Sequence, residues 1–81
     1  RFARPDDLAE VRDPVPDRPG VLADVTTLAT ELDVNILDLE IAHSAEGDHG
    51  VLILVVDAKA AETLRAGLAA RAFRPSAHPL G

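Results

Sequence analysis

Few residues in this chain could do chemistry unaided. His43, His49 and His78 are potential metal ligands, but their spacing matches no compact ligand motif, and they read as a scattered surface trio with no metal site. Asp38 and Glu40 are two apart and could be a carboxylate pair. General acid–base work needs such groups in a water-poor pocket, whereas these fall on the polar face of a strand, where charge guards an edge against aggregation. Ser44 lacks a base and an orienting carboxylate in a recognisable setting, and Thr26 and Thr27 fall in a helix. No catalytic residue is expected. What remains is VPDRPGVLADVTTL, residues 15–28, with Asp17, Arg18, Pro19 and Gly20 between a strand-like and a helix-like run. Gly20 near a helix start lets a ligand carboxylate approach backbone N–H groups that have no intrahelical partner. Ordinary helix-start chemistry explains the same residues, Pro for φ and Gly for clearance. On spacing alone both readings stand open.

The elements that must position this stretch are legible to different degrees. Residues 8–16 read as a strand with Val11 and Val15 on one face. Asp13 lies between them, and Pro14, taken alone, pushes the strand toward a sheet edge. Over 19–33, Val21, Leu22, Val25, Leu28, Ala29 and Leu32 recur at helical spacing; Pro19 suits the first helical position, with Asp17 or Arg18 at or just before the cap. NILDLEIAH (35–43) alternates, with Leu37, Leu39 and Ile41 on one side and Asp38 and Glu40 on the other. SAEGDHG (44–50) reads as a turn, VLILVV (51–56) as a strand, and Asp57 as the cap of a helix over 58–71 carrying Ala61, Leu64 and Leu68. Residues 72–75 are expected as a short last strand and 76–81 as a flexible tail. Strand, helix, strand, turn, strand, helix, strand predicts an α+β fold: a ferredoxin-like βαββαβ sandwich with one antiparallel four-stranded sheet and two helices on one face. Right-handed connections place the first and third strands centrally. VLILVV is apolar on both faces, so one triplet is left on the open side of the sheet. That triplet marks a partner surface unless long side chains on the flanking strands shield it.

Eighty-one residues hold one domain with a thin core, drawn from Ala, Val, Leu and Ile with only two Phe and no Trp, Tyr or Cys. A net charge of −6 with eight scattered Lys and Arg argues against a nucleic-acid partner. No apolar run reaches the ~18–20 residues that span a bilayer, and there is no signal segment. The first residue is Arg, and RFARPDD (1–7) reads as a linker leaving a preceding domain. A soluble cytoplasmic protein is the expectation.

DRPGVLADVTTLATELDVNILDLEI resembles the ACT domain, a small regulatory module attached to enzymes of amino-acid metabolism, and the likeness covers about residues 8–75. Asp17, Pro19, Gly20, Val21 and Leu22, followed by Asn35 and Ile36, match its D-x-P-G and N-I pattern. Leu39, Glu40, Ile41, His43, Ser44, Gly50, Val51 and Leu52 look most like the C-terminal ACT domain of bacterial prephenate dehydrogenases. Asp13 departs from the pattern, standing where related sequences often carry an aliphatic residue.

The resemblance implies a regulatory, non-catalytic domain that pairs with a second copy and binds a free amino acid, tyrosine or a related one, at the seam. Asp17, Arg18, Gly20, Val21 and Leu22 would come from one copy and Asn35 and Ile36 from the other. Gly20 and its neighbours would hold the carboxylate and Asn35 the amino group or backbone of the effector, while Leu22 and Ile36 flank the side chain. Control would be exerted on a catalytic domain of the parent chain. No cofactor is implied for the ACT domain itself; NAD or NADP would serve the parent prephenate dehydrogenase. The alternative is an ACT-like dimerisation module without an effector.

Overall fold

The VLILVV run sits at the centre of the architecture. In the computed structural model, which describes residues 4–16, 19–43 and 49–81, it lies within β3 (His49–Asp57), the strand shared by two neighbours. The other elements are β1 (Leu8–Pro16), α1 (Val21–Glu31), β2 (Ile36–His43), α2 (Ala58–Ala70) and β4 (Ser76–Pro79). The sheet is four-stranded and antiparallel in the order β2-β3-β1-β4, the ferredoxin-like arrangement expected.

Period-two alternation divides the sheet into two faces. Ala9, Val11, Asp13 and Val15 of β1 and Leu52, Leu54 and Val56 of β3 are buried beneath the helices, where Val25, Leu28 and Ala29 of α1 and Ala61, Leu64 and Leu68 of α2 meet them. Fully burying one such aliphatic side chain is worth about 1.5–3 kcal/mol. On the open face Val51, Ile53 and Val55 are half-buried. Glu10 and Arg12, which form an ion pair, stand opposite Val55 and Ile53 on one side; Asp38 and Glu40 stand opposite them on the other. The long flanking side chains thus take part of the triplet out of water.

Proline in a central strand is tolerated here for a directional reason. The Leu80 N–H donates to the Leu8 carbonyl at 3.1 Å, so even-numbered β1 residues aim their backbone groups at β4. β4 pairs only with Ala9–Arg12, so Pro14 and Pro16 face a gap where β4 is absent, and their missing N–H groups cost no ladder bond.

Four expectations are corrected. The cap of α1 is Gly20, at φ 87 in the left-handed region, and Pro19 lies outside the helix: the left-handed residue turns the chain into α1 one residue later. Asp17 and Arg18, expected at the cap, lie outside the described residues, as do 44–48 of the expected turn. Register shifts between Ile36 and Asp38, so Leu37 occupies a bulge, 44% exposed, and leaves the face kept by Leu39 and Ile41. The last strand is Ser76–Pro79, not 72–75; residues 71–75 are used in turning back from α2, and most of the expected tail pairs with β1.

Both helices end in the same bonding pattern without its usual glycine. Asp33 N–H donates to Thr30 and Val34 N–H to Ala29; Ala72 N–H donates to Ala69 and Phe73 N–H to Leu68. These are Schellman motifs with Asp33 (φ 59) and Ala72 (φ 69) at the left-handed position. The first drops Val34 into the core and delivers Asn35 to the head of β2; the second folds Phe73 against the core.

Asp13 is the anomaly. It is 0% exposed, directly across from Leu52, and neither carboxylate oxygen has a hydrogen-bond partner. Desolvation pushes its pKa up to about 6; the Arg74 backbone N–H leans toward it and restrains the rise without making a bond of normal geometry. The folded state therefore holds this proton more tightly than the unfolded chain. The contribution is fully present below the unfolded pKa of about 4 and is lost as pH rises through about 6, up to about 3 kcal/mol. Denaturant titrations from pH 4 to 7 should show Asp13→Asn stabilising the domain toward neutral pH by up to that amount, with the pH-dependent difference gone below about pH 4. In the same assay Ala72→Gly should stabilise by about 1 kcal/mol at every pH, because it relieves left-handed strain and touches no ionising group.

Candidate functional site

The start of α1 is the most open backbone among the expected site residues. The first helical bond runs from Asp24 N–H to the Gly20 carbonyl at 2.9 Å, so the amides of Val21, Leu22 and Ala23 precede the helical ladder. The cap residue, Gly20, has no side chain to cap them. A Cβ built on Gly20 would meet nothing within 4 Å, so the glycine is required by its φ of +87° and not by crowding. The space that a docking carboxylate needs is present, and the amides carry the positive end of the helix dipole.

Side chains around this point divide cleanly. Val21 packs partly on the core, while Leu22 is 37% exposed. Leu28 and Leu32 turn toward α2, where a Cβ on Gly67 would lie 3.7 and 2.6 Å from their methyl groups. Leu22 and Thr26 fall on the opposite flank of α1, toward the β2 edge of the sheet. The Thr26 hydroxyl donates to the Leu22 carbonyl at 3.0 Å and so serves the helix. Ile41, also 37% exposed, and the bulged Leu37 give that edge an apolar character.

Asn35 and Ile36 are elsewhere. α1 is eleven residues long, about 16 Å, and places them beyond its far end. Asn35 is exposed, and Ile36 is half-buried against the core. One chain therefore holds Gly20, Val21 and Leu22 together and Asn35 and Ile36 together, but does not join the two groups. Asp17 and Arg18 lie outside the described residues.

Concavities among the described residues include three, none of them lined by Gly20, Leu22, Asn35 or Ile36. One of about 260 Å³ lies on the open face between Pro14, Ala42, His43 and Val51. Another of about 280 Å³ separates Asp24 and Leu28 from Arg71 and Phe73. The largest of these three, about 420 Å³, fills the gap beside Pro14 and Pro16 and is walled by His49, Arg71, Phe73 and Arg74. Sequence reasoning missed this last group because it read Arg71 as the end of a helix and Arg74 as part of a strand, whereas both lie in the connection from α2 to β4.

Two of the residues considered for chemistry, Asp38 and His78, make contacts of their own. Asp38 accepts a bond from the Leu39 N–H at 2.9 Å on the open face of the edge strand. The Ser76 hydroxyl and His78 Nε2 lie 3.0 Å apart on β4. Among the described residues no three His, Cys, Asp or Glu side chains gather as a metal site would require. No helix among the described residues is long and apolar enough to cross a membrane. Ser44 lies outside the described residues.

Comparison with known proteins agrees with this fold. The family model of the ACT domain matches residues 10–75. The fold is similar to the ligand-free regulatory subunit of aspartate kinase from Thermus thermophilus, with a TM-score of 0.80 and 16% identity over 91% of this chain and 52% of that one. It is also similar to the ACT domain of prephenate dehydrogenase from Bacillus anthracis (TM-score 0.71, 23% identity, 83% and 99% covered) and to formyltetrahydrofolate deformylase from Burkholderia mallei (0.67, 14%, 88% and 27%). This chain thus spans about half the length of the aspartate kinase subunit. No curated protein matches by sequence. With the family pattern running from the middle of β1 through the turn after α2, and the topology derived independently, the chain belongs to the ACT domain family.

Proposed function

We propose that this domain binds a free amino acid at a seam between two copies and so regulates a catalytic domain of its parent chain. The carrying observation is the division of the site: an open helix start at Gly20 on one side, and Asn35 and Ile36 beyond the other end of α1. A two-fold axis beside the β2 edge sets one copy's Gly20 against the other's Asn35. The unladdered amides at Val21 and Leu22 receive the ligand carboxylate, Asn35 accepts from its ammonium through the side-chain carbonyl, and the exposed Leu22 with Ile36 flanks its side chain. Asp17 and Arg18 precede this helix start and belong to the same half. Parent enzyme and effector rest on the L-E-I-x-H-S run of residues 39–44, which resembles prephenate dehydrogenase, and on the likeness to that enzyme's ACT domain in Bacillus anthracis. Tyrosine, the aromatic end product, is the effector on this reading, and NAD or NADP belongs to the parent's catalytic domain.

Control follows from linkage. An effector that bridges two copies favours one arrangement of the pair by its difference in affinity for the two, about 1–3 kcal/mol in typical allosteric systems. A thermal-shift screen against the twenty amino acids, with sedimentation of the same samples, tests the reading. Tyrosine or a close relative should raise the melting temperature of a dimer; a firm dimer stabilised by none would make this a pairing module without an effector. Calorimetry on Gly20→Ala should show binding reduced at least about tenfold, since alanine is forced out of the left-handed region and redirects the amides. Asn35→Ala should weaken binding about five- to twentyfold with an unchanged melting temperature. Unfolding of that variant instead would assign Asn35 to holding β2 in place.

A further inference from the structure

The cavity beside Pro14 and Pro16 is cationic in a chain that is acidic as a whole. Its volume of about 420 Å³ falls within the range of small-molecule sites, about 300–1,000 Å³. Its walls also have the composition of one, apolar surface with a few converging polar groups. Pro14, Pro16 and Phe73 supply apolar surface, while Arg71, Arg74 and His49 supply hydrogen-bond donors. Among the described residues that line it there is no carboxylate, although the chain carries fourteen Asp and Glu against eight Lys and Arg. An anion is what these walls lack.

The two arginines are not equivalent. The Arg71 Nη2 lies 3.2 Å from the Glu31 carboxylate, a contact that ties the side chain to α1 and leaves its other donors unspent. Arg74 is exposed, and among the described residues its guanidinium has no hydrogen-bond or ion-pair partner. The parallel N–H groups of a guanidinium match the two oxygens of a planar carboxylate. We propose that this cavity binds a small organic carboxylate with an apolar body. The carboxylate pairs with Arg74 and with the remaining donors of Arg71, and the body lies against Phe73 and the proline rings.

The same walls select against two neighbouring chemistries. A free amino acid would bring its ammonium in beside the arginines that hold its carboxylate, where like charges repel, and no lining carboxylate is there to receive it. A hydroxyl in that place carries no charge, and it can donate to the carbonyl of Pro14 or Pro16, which face the gap left by β4. An added β-strand, the other use of an unpaired edge, needs donors as well as acceptors from β1, and prolines at 14 and 16 provide none. The cavity is not lined by Gly20, Leu22, Asn35 or Ile36, so it stands independently of the proposed seam.

Phenyllactate, a carboxylate with one aromatic ring and one hydroxyl, is a suitable probe. Titrated into the chain and followed by NMR, it should shift the Arg71 and Arg74 Nε–H signals and the Phe73 ring along one saturable curve. Phenyllactamide, which has no charge, should bind at least about tenfold more weakly, and phenylalanine, with an ammonium in place of the hydroxyl, at least about fivefold. Arg74→Gln should weaken phenyllactate binding at least about fivefold. Glu31→Gln, which releases Arg71, should strengthen it about twofold, a change that general damage to the fold would not produce. Shifts that do not saturate, equal binding of the amide, phenylalanine held at these residues as tightly as phenyllactate, unchanged affinity in Arg74→Gln, or weaker binding in Glu31→Gln would each overturn the proposal.

Discussion

The nine-residue pairing of β1 with β3 is the constraint on which the rest of the domain depends. It runs from Leu8↔Asp57 to Pro16↔His49 without a break and fixes which side chains lie beneath the helices. A slip of one residue would turn Val11 and Val15 to the open face and carry Glu10 and Arg12 into the core. The pairing also ends four residues before Gly20, the cap at which α1 and its open amides begin. β4 and the outer part of β2 are added to this pair. One is short and the other begins with a bulge, and these irregular margins border the cationic cavity and the proposed seam.

Such a register tolerates Asp13 only at a cost. A carboxylate with no partner in an aliphatic layer is normally neutralised or paired, and here burial shifts its protonation toward neutral pH. A small core built from Ala, Val, Leu and Ile has little reserve against such a charge. The group lies one residue beyond the end of the β4 pairing, so β4 supplies no neighbour beside it.

How much of this was legible in the sequence depended on whether local pattern or tertiary context decided the outcome. The helical spacing of Val25, Leu28 and Ala29, and of Ala61, Leu64 and Leu68, identified both buried faces because each helix meets the sheet along a single stripe. Strand order followed from the handedness of the connections. Leu37 misled because a bulge leaves no trace in an alternating run, and β4 was misplaced because Ser76–Pro79 has neither alternation nor β-branched residues. The helix ends were hidden because Asp33 and Ala72 occupy positions where glycine is the usual sign. Pro14 appeared to contradict a central strand until the direction of its backbone groups was known. For the site, D-R-P-G and N-I marked the two halves, but only the three-dimensional fold reveals that α1 keeps them apart within one chain.

That separation makes the central claim directly measurable. Gly20→Ala and Asn35→Ala chains are each expected to bind the effector poorly. In a mixed dimer one seam carries both defects, while the other joins an unaltered Gly20 to an unaltered Asn35. Equilibrium binding measured on the mixture, with subunit exchange verified by mass spectrometry, should recover about a quarter of the parent's high-affinity sites if the chains pair at random. No recovery despite complete exchange would show that Gly20 and Asn35 do not meet across a seam between copies.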